Sequence, residues 1–146
     1  MWQYGEDDAC DFVCSSLFGS DRGAAAYDEA DLQRLMKTNV CVDCDLSGAD
    51  LSGMNLGGAN LTGADLSDAN LRGADLSQAV VDRAVLTSAD LGDTNLMGLG
   101  TMHTDFSGTN LAGSNWTLDQ VIMAAGVGAR YCDTTLPDGT VSFASC

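Results

Sequence analysis

The sequence predicts an all-β solenoid of stacked square coils. Three observations carry that expectation: leucine returns every fifth residue, a small residue stands two places before it, and glycine often stands two places after it. The stretch ADLSDANLRGADL, Ala64 to Leu76, shows the pattern. Neither standard element explains a period of five. On an α-helix, five steps of ~100° carry each leucine ~140° around the axis, so no face collects them. In a strand, an odd period sends successive leucines to opposite faces. The backbone must therefore turn once per repeat.

From Leu46 to Val121 the central position recurs every five residues and is hydrophobic throughout except at Thr101. Two places earlier stands a column of mostly side chains no larger than threonine, alanine above all, with Met54 and Leu99 as large exceptions and Cys44, Thr94, Thr104 and Thr109 among the small ones. These two columns look inward. The residue between them is usually Asp or Asn, and the two after the centre are commonly Ser, Thr or Gly, so these look outward. The register is expected to run to Val121 without insertion and to continue at Ala129-Arg130-Tyr131 and Thr134-Thr135-Leu136, beyond a weak AAGVG.

If each pentad supplies a short extended segment and a corner, four pentads close a coil of ~20 residues, and coils stack at ~4.8 Å. The chain then makes four to five coils. Glycines such as Gly48, Gly63, Gly98 and Gly113 fall at the corners, where a tight turn favours positive φ. Opposite walls approach closely because one inward column is alanine-sized while stacked leucines fill the axis.

The ends of such a stack need covers. YDEADLQRLMKT reads as a short helix with Asp28 as N-cap, Asp31 in its first turn, and Arg34 and Lys37 near its last. Leu32, Leu35 and Met36 are expected to share the face that covers the first coil. At the other end Pro137-Asp138-Gly139 signals a turn between short extended runs, with Phe143 available to cover the last coil. Ala9 to Phe18 reads as another helix and Gly19 to Ala26 as a linker. The expected organisation is a helical extension and cap over 1–40, the repeat body over 41–136, and a C-terminal cap over 137–146.

Composition agrees with a narrow core: 45% of the 146 residues are hydrophobic but only 6% are aromatic. Twenty-one acidic against six basic residues give a net charge of −15, which repels nucleic acid and anionic membranes and leaves a basic protein partner open. No apolar run approaches the ~18 residues of a membrane span, and MWQYGEDDACDFVC lacks the basic start and apolar middle of a signal peptide. Either the chain is cytoplasmic or a targeting segment has been removed.

CDLSGADLSGMNLGGANLTGADLSDANLRGADL, with its A(D/N)LxG units, resembles the pentapeptide-repeat family, whose members form a right-handed quadrilateral parallel β-helix. The resemblance covers Cys44 to about Leu136. DLQRLMKTNVCVDCDLSGADL is similar to the entry segment of bacterial and plastid members, and YCDTTLPDGTV to a frequent ending. From Ala79 the consensus loosens, at Val80, Val85, Leu99-Gly100-Thr101 and Trp116.

Six cysteines remain to be placed. Cys132 and Cys146 flank the C-terminal turn, and a bridge there closes a 15-residue loop worth about 3 kcal/mol. Cys10, Cys14, Cys41 and Cys44 are expected to form disulfides in one of three connectivities, or to remain partly reduced in the core. The Cys41-Val42-Asp43-Cys44 spacing also suits zinc, so a four-cysteine site is a lesser alternative. Bridged cysteines imply an oxidising compartment: the periplasm, a secreted location or, by the family resemblance, the thylakoid lumen.

No catalytic constellation is visible. His103, the single histidine, falls on an outward corner, the aspartates belong to a repeating outward column, and the glycine spacing is that of corners rather than of a phosphate loop. No metal or cofactor is expected. The leading reading is a non-catalytic protein-protein interaction scaffold or accessory subunit, docked on a larger photosynthetic or envelope complex without spanning the membrane. The alternative, implied by the resemblance, is an acidic DNA mimic acting on a type II topoisomerase. Val80, Val85, Met102, Leu118, Ile122 and Met123 are the expected partner-binding patch, because outward positions elsewhere are mostly Asp, Asn, Ser or Gly.

Overall fold

The computed structural model describes residues 27–126, 128–130 and 133–142. The expected helix at Ala9–Phe18, the linker at Gly19–Ala26, Tyr131, Phe143, and Cys10, Cys14, Cys132 and Cys146 lie outside these residues.

Parallel bridges join residues twenty apart, or twenty-five at Arg130 and Thr135, and define four walls. Wall 1 stacks Val40, Asn60, Val80 and Gly100; wall 2 stacks Asp45, Asp65, Val85, Asp105 and Arg130. Wall 3 stacks Asp50, Asn70, Asp90, Asn110 and Thr135; wall 4 stacks Asn55, Asp75 and Asn95. The ladder is made by backbone groups on both sides of each rung. Leu46 N–H donates to Asp65 C=O at 2.8 Å, and Asp65 N–H donates back to Cys44 C=O at 2.8 Å. Between walls the chain makes a turn closed from Ala49 N–H to Leu46 C=O at 3.1 Å.

Every fifth residue from Asp43 to Gly113 has a positive φ, which is the third position of a type II turn. Glycine fills many of these corners, but Asp43, Asp68, Gln78, Arg83, Ser88, Asp93 and His103 adopt the same left-handed backbone. A neighbouring coil explains some of the glycines better than φ does. A Cβ on Gly98 would run into the Gln78 side chain one coil away, and one on Gly63 would run into the Asp43 carboxylate. The longer corner side chain folds over the next corner, which must then be bare.

The inward columns behave as expected. Leu46, Leu51, Leu61, Leu66, Leu71 and Leu91 are fully buried, as are Ala49, Ala59, Ala64 and Ala79. Where the alanine column changes to threonine, the added hydroxyl finds a carbonyl in the neighbouring coil. Thr104 Oγ1 donates to Val81 C=O at 2.7 Å and Thr109 Oγ1 to Leu86 C=O at 2.7 Å, so no polar group is buried unpaired there.

The outward Asp/Asn column caps the corners. Asp50 Oδ1 accepts from Ser52 N–H at 3.1 Å and from its hydroxyl at 2.6 Å. On walls 3 and 4 the column also bonds along the stack: Asn110 Nδ2 donates to Asp90 Oδ1 at 3.0 Å, and Asn95 Nδ2 to Asp75 Oδ1 at 3.1 Å. Wall 3 alternates Asp50, Asn70, Asp90 and Asn110, which separates carboxylates that would otherwise repel at the coil spacing.

Helix α1, Glu29–Thr38, covers the first coil. Asp28 caps it as expected, accepting from Ala30 N–H at 2.8 Å, and Asn39 ends it in a left-handed conformation. Leu35 is buried and Leu32 packs on the core, but Met36 is 59% exposed, contrary to expectation. The coil end is too narrow to cover three adjacent large side chains. The first corner also carries a disulfide, Cys41 to Cys44, with both residues buried and Cα atoms 5.3 Å apart.

The register departs from expectation after Asn115. Asp105 pairs with Arg130 and Asn110 with Thr135, so the fourth coil holds five more residues than the others. The extra length accommodates helix α2, Leu118–Gly126, where further pentads were expected. Thr117 and Gln120 start it with a capping box: Thr117 N–H donates to Gln120 Oε1 at 2.8 Å, and Gln120 N–H to Thr117 Oγ1 at 3.3 Å. Pentad phase survives because the insertion is one pentad long. Beyond it, β1 (Thr134–Thr135) and β2 (Val141–Ser142) pair antiparallel around the expected Pro137-Asp138-Gly139 turn.

Two outcomes check this description. Leu71→Asp places a carboxylate in the apolar axis and should cost about 4 kcal/mol or more, abolishing the cooperative melt. Asp75→Asn keeps an oxygen for Ser77 N–H and should melt like the wild type at neutral pH. The Ser52 hydroxyl and N–H hold the Asp50 carboxyl below its ordinary value of 3.8, and the Ser77 hydroxyl and N–H do the same for Asp75. Depressed carboxyls contribute stability above their unfolded value and lose it as pH falls through the folded one. Melting temperature should therefore decline below about pH 4, and Asp75→Asn should decline less. Similar melting of Leu71→Asp and Asp75→Asn would refute the inward and outward columns. Separately, non-reducing peptide mapping should recover Cys41 linked to Cys44; free thiols at both, or either joined elsewhere, would refute that pairing. The same digest reads the expected Cys132–Cys146 link.

Candidate functional site

Helix α2 lies over the end of wall 1, where a fifth rung would otherwise continue the stack. Asp119 in its first turn suits the positive helix N-terminus. Val121 and Ala124 are buried and seat it, packing its inner side toward the axis. Phe106 and Trp116 fill the wider interior beside it, with ring centroids 5.4 Å apart and planes inclined by 52°.

The helix does not close fully onto the coil. A cleft of about 350 Å³ opens between Gly98, Leu99 and Thr101 on one side and Trp116, Met123 and Ala124 on the other. Its rim is apolar. Ile122 is 67% and Met123 72% exposed on α2, while Met97 and Met102, on the corners before and after Gly100, are 60% and 50% exposed. Asp82 Oδ1 accepts from Met102 N–H at 2.8 Å and so fixes the backbone at that corner.

The expected patch is therefore redistributed. Val80 is half-buried on wall 1, where Gly100 stacks on it, and Met102 lies at the corner beside that wall. Leu118, Ile122 and Met123 belong to α2 and not to outward pentad positions. Val85 is partly exposed on wall 2, around the corner from Val80. Met97 and the cleft residues Leu99 and Trp116 were not in the expected patch. Met97 is legible as a large apolar side chain directly after a centre, where most other repeats carry Ser, Thr or Gly.

A second cluster lies under α1. Arg34 Nη2 meets Asp31 Oδ1 at 2.7 Å, and its Nη1 lies 3.1 Å from Cys44 Sγ. Asp31 Oδ2 accepts from Asp45 N–H at 2.9 Å, so one carboxylate ties the helix to the first rung of wall 2. His103 stands exposed on its corner, and its ring lies where a Cβ on Gly128 would be.

The fold resembles solved structures. A pentapeptide-repeat protein from the thylakoid lumen of Arabidopsis thaliana is 32% identical over 70% of this chain and 68% of its own, with a TM-score of 0.58. A pentapeptide-repeat protein from the cyanobacterium Nostoc is 26% identical over 72% of this chain and 95% of its own, with a TM-score of 0.56. One from the cyanobacterium Cyanothece shares the fold at 22% identity and a TM-score of 0.52, covering 77% of this chain and 97% of its own. Among curated proteins none matches the sequence. The model of pentapeptide repeats matches residues 41–78 and 64–98. With the period of five, the four walls and these relatives in agreement, the chain belongs to the pentapeptide-repeat family and folds as its right-handed quadrilateral β-helix.

Proposed function

We propose that the protein is a non-catalytic docking scaffold whose α2 end binds a partner protein in an oxidising compartment. The observation that carries this reading is the set of exposed apolar side chains Met97, Met102, Ile122 and Met123, on α2 and on the corners that flank Gly100, with Met123 lining an open cleft, on a chain of net charge −15. Exposed apolar side chains of this size are a solubility liability unless covered, and methionines adapt their shape to a partner. The partner is a neutral or basic protein surface that presents an apolar anchor to the cleft. A second acidic copy would bring two like charges of −15 together, which disfavours self-association.

The Cys41–Cys44 disulfide and the lumenal Arabidopsis relative support an oxidising location, the thylakoid lumen or a periplasm, and a role as accessory subunit of a photosynthetic or envelope complex. Mimicry of duplex DNA, directed at a topoisomerase, draws support only from the net charge. A duplex presents continuous rows of anions, whereas wall 1 stacks Val40, Asn60, Val80 and Gly100, and wall 3 interposes Asn between aspartates.

The test uses immobilised protein and extract from the source compartment. The wild type should retain a defined partner in stoichiometric amount, with retention weakened by salt. Met102→Ser combined with Ile122→Ser should lose that partner while the melting temperature stays near wild type. A double variant that unfolds would make these side chains part of the core, and one that still retains the partner would remove this surface as the dock.

A further inference from the structure

The cluster under α1 has the composition of a metal site held in another state. Cys41 Sγ, Cys44 Sγ and an Asp31 carboxylate oxygen all lie within 4.8 Å of one another. The two sulfurs come from one Cys-x2-Cys corner and the oxygen from a separate element, so the three donors converge from two directions. Soft thiolates with one carboxylate suit a zinc-type cation, whose bonds of ~2.3 Å to sulfur and ~2.0–2.2 Å to oxygen set ligand separations of roughly 3–4 Å.

We propose that the Cys41–Cys44 pair is a redox-gated metal site: once the disulfide is reduced, both thiolates and Asp31 bind one thiophilic divalent cation, with water as the fourth ligand. The chemistry balances with a dithiol as reductant. Its two thiols deliver two electrons and two protons, the Cys41–Cys44 bond breaks to two thiols, and the reductant closes its own disulfide. The cation then displaces the two thiol protons to solvent. In the oxidised state the sulfurs are spent on each other and the site does not exist.

Two neighbours bear on the cation in opposite directions. Asp45 N–H donates to Asp31 Oδ2 at 2.9 Å, fixing the carboxylate from behind as an outer-shell partner does. Arg34 competes: its guanidinium lies 2.7 Å from Asp31 Oδ1 and 3.1 Å from Cys44 Sγ, so it occupies the place of positive charge in this cluster. Its side chain is half-exposed, and it moves to solvent at little cost when a cation enters. Bound metal would thus tie α1 to the first coil through Asp31 and keep the cap closed where the disulfide is lost.

The test titrates Co2+, then Zn2+ against a chromophoric chelator, into the full chain after reduction by a dithiol and removal of the reductant without air. The wild type should bind one more thiolate-coordinated equivalent than C41S/C44S, a comparison that subtracts any metal held by the other four cysteines. In D31N the affinity of that equivalent should fall at least about ten-fold. In R34Q it should rise, because a competing cation has gone. Zinc should raise the melting temperature of the reduced wild type and not of C41S/C44S. The proposal is overturned if C41S/C44S takes up as much metal as wild type, or if D31N and R34Q both bind with unchanged affinity. R34Q retains every proposed ligand, so its result decides the matter even where D31N loosens the helix.

Discussion

Everything in this fold depends on a left-handed residue at every fifth position. One such corner per pentad turns the chain through a right angle, and four of them close the twenty-residue coil that places Asp45 beside Asp65 and Asn70 beside Asp90. The cost is real, since an L-residue in that conformation loses roughly 1–2 kcal/mol. Glycine avoids the cost, but Gln78, Arg83, Ser88 and His103 do not. Their corners hold because ladder bonds on both sides over-determine the backbone, as at Gln78, whose N–H donates to Met97 C=O at 2.8 Å. From the same square comes the narrow core: with walls so close, the axis admits one leucine and one alanine-sized side chain per pentad, and the inward threonines Thr94, Thr104, Thr109 and Thr134 each place their hydroxyl on a carbonyl of a neighbouring coil.

The same geometry explains how a helix enters without destroying the stack. An insertion of one pentad returns the chain to the corner phase, so wall 2 resumes at Arg130 and wall 3 at Thr135. The buried threonines record the shift. Thr104 and Thr109 bond to carbonyls 23 residues back, whereas Thr134 reaches 28 residues back, to Phe106, at 2.6 Å. Any whole number of pentads keeps that phase, and one is the shortest that does. Where the chain leaves the coil, neither wall 4 nor wall 1 gains a further bridge after Asn95 and Gly100, and the cleft opens between Gly98, Leu99 and Thr101 and the residues of α2.

What the sequence disclosed follows from this. The period, the two inward columns, the Asp/Asn caps, the Asp28 helix cap and the Pro137 turn are local patterns with a single physical solution each. The Thr117-x-x-Gln120 capping box was equally local, yet Val121 and Ala124 are an apolar and a small residue at spacings that also satisfy a pentad reading. In phase with the repeat, the helix looked like more of it. Met102 and Val80 stand out in the sequence because apolar side chains at outward positions break the consensus, whereas Ile122 and Met123 share those positions only in a register that α2 replaces. The error at Met36 has a different cause: helix periodicity gives the face a helix can bury, while the width of the coil decides how much of it is buried.

Stacked pentads repeat the same surface, so anything distinctive must arise where the ladder stops. At the first coil, Asp28 N–H donates to Asp45 C=O at 2.9 Å, and the Asp31 carboxylate receives Asp45 N–H, so α1 supplies the missing rung with a backbone donor and a side-chain acceptor. At the far end Leu96 N–H, which would have met a backbone carbonyl, donates to Asn115 Oδ1 at 2.7 Å instead. Side chains replace backbone at both ends because an open rung is a site for unwanted strand pairing. Once side chains carry those bonds, their neighbours are released from the pentad consensus. Arg34, Cys41 and Cys44 gather at one end and Met97, Met102, Ile122 and Met123 at the other, so the elements that terminate the solenoid also supply its chemistry.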